Sequence, residues 1–139
     1  MKTPYCTALK LASRSVEEVR SRIGEAQEEI ASLDGRAAVL RAVVAAERSC
    51  RARNMDLPET RWFGKAAADQ RAIAERRSSL EGQLASLREE ASARLASQRA
   101  LEDAELGYRG DHARRVARRE QALADDRAAT LFRSRVHAT

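Results

Sequence analysis

The sequence predicts an all-α fold, a long antiparallel two-helix coiled-coil hairpin whose second helix is the longer of the two. Three observations predict it. Aromatics make up only 4% of the chain, charged residues reach 34%, and alanine occurs 28 times. That composition suits long exposed helices and supplies too few large apolar anchors for a thick globular core. Two heptad series in phase occupy the first third, a cluster of helix breakers follows, and helical periodicity resumes beyond it.

The first helix is expected over about residues 4–54. Thr3-Pro4 reads as an N-cap followed by proline in the first turn, where a missing N–H is harmless. Leu9, Val16, Ile23, Ile30, Ala37 and Val44 recur every seven residues, and Ala12, Val19, Ala26, Leu33 and Leu40 follow three residues behind. Such phasing over five heptads is the pattern of a helix–helix seam. Glu17, Glu18, Arg20, Arg22, Glu25, Glu28 and Glu29 surround it as a solvated face requires. Gly24 and Gly35 each weaken a helix by about 1 kcal/mol relative to alanine, and the helix is expected to run through both.

The turn is expected at residues 55–60. Asn54 can end a helix, and Pro58 cannot continue one and also restricts Leu57. Asp56 and Glu59 are spaced as a capping box, with Thr60 a competing cap. The second helix is expected over about residues 61–133. Ile73, Leu80, Leu84, Leu87, Ala91 and Leu95 follow a 7-4-3-4-4 spacing, whose successive fours suggest a stutter. Leu101, Tyr108, Val116 and Leu123 continue it more loosely. Glu90–Arg94, Glu105–Arg109 and Asp111–Arg115 are i,i+4 pairs in the favourable order, each adding a few tenths of a kcal/mol. A hairpin folded near residue 57 sets Leu9 opposite about residue 105. The segment from about residue 111 is then an overhang or a frayed helix. The 139 residues are read as one domain.

Charge is unevenly spread. Residues 1–106 hold 18 basic and 17 acidic side chains, whereas residues 107–139 hold 8 arginines and 4 acids. Basic ends of this kind meet acidic protein surfaces, nucleic acid or anionic membrane. Cys6 and Cys50 would lie on one helix about 66 Å apart at 1.5 Å per residue, too far for an intramolecular disulfide. A reducing cytoplasm is therefore the expected compartment. The opening Met1-Lys2-Thr3-Pro4 shows no apolar run of a signal peptide, and no window approaches 18 apolar residues, so no transmembrane span is expected.

The sequence holds no phosphate-binding glycine loop, no CxxC pair and no HExxH. His112 and His137 stand 25 residues apart on a chain with no expected pocket. No cofactor, no metal site and no enzymatic activity are expected. Two constellations are candidates for partner binding. Trp62-Phe63, beside the turn, either plug the open end of the hairpin or anchor a partner, and the two roles are compatible. Arg114, Arg115, Arg118 and Arg119 lie along one side of a helix and read either as a solubilising surface or as a binding strip for an acidic protein groove or nucleic acid. Nucleic acid is disfavoured by the absence of stacking aromatics nearby and by Glu120, Asp125 and Asp126.

Three segments together resemble the FliJ/YscO family, the small coiled-coil stalk proteins of flagellar and type III secretion export systems. They are Lys10-Leu11 through Leu33 with its flanked heptads, Trp62-Phe63-Gly64-Lys65-Ala66 through Gln70-Arg71 with Ser78, Leu80 and Leu84, and Arg118-Arg119-Glu120-Gln121-Ala122-Leu123-Ala124-Asp125-Asp126. The resemblance implies an antiparallel coiled coil similar to the central stalk of rotary ATPases. It implies a non-enzymatic cytoplasmic protein, peripheral at the inner-membrane export apparatus through its partners. Those partners would be a hexameric export ATPase, an export gate protein and export chaperones. By the resemblance, Trp62, Phe63 and Ile73 match the gate-contacting apolar side chains, and Arg114, Arg115, Arg118 and Arg119 match the ATPase-facing end. Ala66, Ala67 and Ala68 stand where the family often carries larger residues. Rival readings are a secreted WXG-type helical hairpin, since Trp62-Phe63-Gly64 fits Trp-x-Gly, a basic coiled-coil nucleic-acid-binding protein, and a dimerising scaffold in which two chains share the seam.

Overall fold

A computed structural model describes residues 2–53 and 60–138. The described residues form a hairpin of two helices and no strand: α1, Cys6–Arg53, and α2, Thr60–His137. Their lengths, 48 and 78 residues, make the second helix the longer, as expected. α1 starts two residues later than the sequence suggested, and α2 runs four residues further, to His137. Asn54, the expected end of the first helix, and residues 55–59 of the expected turn lie outside the described part, and Thr60, expected in the turn, instead opens α2. α1 passes through Gly24 and Gly35 without interruption, and α2 passes through Gly107 and Gly110.

All eleven residues of the two α1 series are buried or half-buried. Alternating three- and four-residue steps keep these positions on one stripe, and a helix stabilises itself chiefly by burying such a stripe.

The chain forms two compact units. In the first, Arg14–Leu95, the α1 portion packs antiparallel on the α2 portion. Leu33, Ile73 and Leu80 form its core cluster, with Ile30, Ala37 and Leu40 against it. Val19 and Leu80 are the largest fully enclosed side chains. The α2 side of this seam is more regular than its apolar residues suggest. Ala66, Ile73, Leu80 and Leu87 recur every seven residues and are all buried. The companion series is Gln70, Arg77, Leu84 and Ala91, in which two polar residues hide the repeat. Arg77 is half-buried with its guanidinium turned outward to Asp34 and Glu81, an arrangement that long amphipathic side chains allow. The stripe widens to adjacent positions at 90–91 and 94–95, where the stutter is expected.

Ion pairs mark the register of this unit. Glu29 meets Arg76 at 2.8 Å, Asp34 meets Arg77 at 2.6 Å, and Arg22 meets Glu90 at 3.5 Å. Arg94 donates to the Ser15 carbonyl at 2.8 Å and approaches Glu18 at 3.7 Å. α1 supplies most of the acids and α2 most of the arginines, so a slip by one heptad would separate them. Each half-exposed pair adds little stability on its own.

The second unit joins the residues up to Ser13 with those from Ala96 onward. Its N-terminal end is a clasp. Thr3, buried, donates its hydroxyl to the Glu105 carboxylate at 2.7 Å, and Tyr5 packs edge-on against Tyr108 with ring centroids 6.1 Å apart. Two expectations are corrected here. The hydroxyl of Thr3 serves Glu105 rather than capping α1, and it is the Thr3 carbonyl that accepts the Cys6 N–H at 3.2 Å. Thr3, not Leu9, stands opposite Glu105, a shift of six residues. Tyr5 lies just before α1, and its ring meets Tyr108 of α2.

Beyond Gly110 every described residue to Ala138 is exposed. The segment is helical to His137 rather than frayed. Val116 and Leu123, which the sequence reading placed as a loose continuation of the seam, are both exposed.

Candidate functional site

Three surfaces carry the chemistry of this chain. The first is the aromatic end of the Arg14–Leu95 unit. Trp62 and Phe63 fall in the first turn of α2 and pack edge-to-face with centroids 5.1 Å apart. The Phe63 ring lies under two guanidiniums of α1, Arg51 at 4.6 Å and Arg48 at 5.9 Å. Arg51 also pairs with Glu47 at 3.4 Å. Cation–π contacts fix rings at such a place because the ring face is electron-rich. Phe63 therefore closes one end of the seam, and both aromatics remain half-exposed and open to a further surface.

Ile73, the third apolar candidate, is only 8% exposed and belongs to the core cluster. Its free edge forms part of the floor of an open groove of about 750 Å³, the second surface. Leu33 and Leu40 share that floor. Val39 and Val43 of α1 form one wall, 65% and 45% exposed, and Asp69, Ala72 and Arg76 of α2 form the other. Trp62, Asp69 and Arg76 recur every seven residues, so the tryptophan stands on the same row of α2 as the groove wall. The groove was not among the sequence candidates, although a signal existed. Val39, Val43 and Ala46 follow a four-three spacing on α1, a short apolar row beside the seam.

The third surface is the unpaired end of α2. Arg114, Arg115, Arg118 and Arg119 are exposed and lie on adjoining rows of one helix side. Arg114 pairs with Asp111, which holds that carboxyl below its ordinary value. Gln121 donates to Asp125 at 2.9 Å, and Thr130 donates to the Asp126 carbonyl at 2.8 Å. These local bonds leave a basic strip beside the exposed Val116 and Leu123. The structure thus keeps the arginine candidates together on one strip and Trp62 with Phe63 at the start of α2, but sets Ile73 apart from them, in the core of the seam.

The N-terminal clasp holds further perturbed groups. Glu105 accepts bonds from Thr3 and from Arg109 at 2.8 Å, and both hold its carboxyl below the usual value. Thr3 likewise lowers the Cys6 thiol, whose sulfur lies 3.3 Å from the hydroxyl. Tyr108 stacks on His112 with centroids 6.5 Å apart. Cys6 and Cys50 are unbridged.

Among the described residues, no group of three or more His, Cys, Asp or Glu comes together to hold a metal ion. No described helix is long and apolar enough to cross a membrane. No family model, curated protein or solved structure matches this chain.

Proposed function

We propose that this chain is a non-enzymatic stalk and adaptor of a flagellar or type III protein export apparatus. In this reading it sits in the cytoplasm, peripheral to the inner membrane, and links a hexameric export ATPase to the export gate and its chaperones. The observation that carries the reading is the unequal hairpin. α2 outlasts its pairing with α1 and continues as an exposed basic helix to His137. An exposed helix with arginines on one side is suited to entering an acidic cleft, where each charge pair strengthens as water leaves.

The mechanism is mechanical. An asymmetric helix within a symmetric ring contacts the subunits unequally, and a ligand shifts conformers only through unequal affinity for them. Arg114, Arg115, Arg118 and Arg119 would make those contacts. Trp62 and Phe63, the latter held by Arg48 and Arg51, would present a rigid aromatic surface to the gate.

The test is an ATPase assay with the cognate export ATPase across a salt series. Stimulated hydrolysis that fades with salt is the expected result, and changing all four arginines to glutamine should abolish it, with circular dichroism checking that the segment stays helical. No stimulation, with retention on random DNA instead, would transfer the basic strip to a nucleic-acid reading.

A further inference from the structure

We infer that the groove beside Val39 and Val43 seats a second copy of this chain, with α1 against α1 in antiparallel sense. This surface lies outside the export reading and stands or falls independently of it.

The groove has an apolar floor of Leu33, Leu40 and Ile73, and two large aliphatic side chains of α1 stand exposed on its wall. Valines exposed in a row at helical spacing are the pattern of an unfilled seam rather than of a solvated face. A surface that offers both the ridge and the groove can pair with itself about a two-fold axis, residue i meeting j and j meeting i.

Charge commits the occupant. Residues 17–34 of α1 hold six acidic and two basic side chains, a net of −4, and residues 35–53 hold five basic and one acidic, a net of +4. A parallel copy would set like charge on like charge. An antiparallel copy sets each half against its opposite. Placing Val39 against Val43 of the second copy fixes the register. Arg36 then lies opposite Ala46, within reach of the neighbouring Glu47, which also pairs with Arg51 of its own chain, and Ser32 meets Cys50, each across the two-fold axis; Glu29, paired with Arg76 of its own chain, lies opposite Arg53. Ser32 and Ala46, both exposed, are small enough to let the two backbones approach closely. In this register the two Cys50 thiols are about 27 Å apart, at 1.5 Å per residue over about eighteen residues.

Sedimentation equilibrium of the full chain over a micromolar concentration series tests the proposal. The expected result is a mass rising from 15.4 kDa to twice that value. The double variant Val39→Glu with Val43→Glu should remain monomeric with unchanged helical circular dichroism, since both side chains are exposed. Arg36→Glu or Glu47→Arg alone should weaken association by about tenfold, and the two together should restore it, as a swapped charge pair requires. In a Cys6→Ser background under mild oxidation, Ser32→Cys should trap a disulfide with Cys50 of the other copy, and Cys50 alone should not cross-link. A monomer at every concentration, a dimer that survives the double glutamate variant, or a Cys50–Cys50 cross-link would overturn it.

Discussion

Two stretches of α2 are similar in composition and opposite in burial. The earlier one buries Ala66, Ile73, Leu80, Leu84 and Leu87 along its pairing with α1. Between residues 111 and 138 the helix buries nothing, although Val116, Leu123, Leu131 and Phe132 are as apolar as their counterparts. The first stretch is helical because tertiary packing rewards it. The second relies on propensity, with alanine and arginine the dominant residues, and on local bonds such as Arg114 to Asp111 and Gln121 to Asp125. Helicity alone therefore says little about what a segment does in this chain. The useful quantity is whether its apolar row is covered.

Truncations should break that contrast most visibly. Leu80→Ala removes a side chain only 2% exposed at the centre of the core cluster, and should cost about 2–5 kcal/mol in denaturant unfolding. Leu123→Ala, the same change on the uncovered stretch, should stay within about 0.5 kcal/mol. An equal loss at both positions would mean that the end of α2 is packed in solution.

Glycines sharpen the point at an intermediate scale. An added Cβ at Gly24 or Gly82 meets nothing within 4 Å, and neither glycine has a positive φ. Gly24→Ala combined with Gly82→Ala should stabilise the paired unit by about 1–2 kcal/mol, read as a raised Tm. Failure to stabilise would mean that the paired unit packs more closely at these positions in solution than the open space around both glycines allows for.

Smaller effects come from charge. Glu105 titrates below its ordinary value because Thr3 and Arg109 bond its ionised form. Its contribution is thus full above the unfolded-state pKa and is lost as pH falls through the lower folded-state value. Protection of the amides of residues 6–13, taken relative to their intrinsic exchange rate at each pH, should fall over that acidic window, and Thr3→Val should remove most of the pH response. The least effect is expected from Arg77→Ala, whose partners Asp34 and Glu81 are about half exposed. A small drop in Tm that shrinks near about 1 M salt to a residual loss from the half-buried stem of Arg77 would match a screened ion-pair network over a packed seam position.

Much of the fold was legible because a seam leaves a periodic trace. The α1 series from Leu9 to Val44 could be read directly, and each member is at least half-buried. The α2 series was only partly legible, because Gln70 and Arg77 occupy seam positions where an apolar residue is expected. Trp62 and Phe63 could be picked out by type and place, but not the Arg48 and Arg51 pair that holds Phe63. The row of Val39, Val43 and Ala46 could have been found by its four-three spacing, yet only the packed structure shows that it is uncovered.

The sequence by itself determined the helical class, the two-helix order, the longer second helix and the basic end. These follow from local spacing, composition and breakers, which act within a few turns of chain. Tertiary structure decided which apolar rows are buried, that Thr3 meets Glu105, and that Ile73 is floor where Val39 is wall. Such facts depend on the axial register of one helix on another. Register is set by the joint fit of the apolar stripe and ion pairs such as Asp34–Arg77, which no single segment of sequence contains.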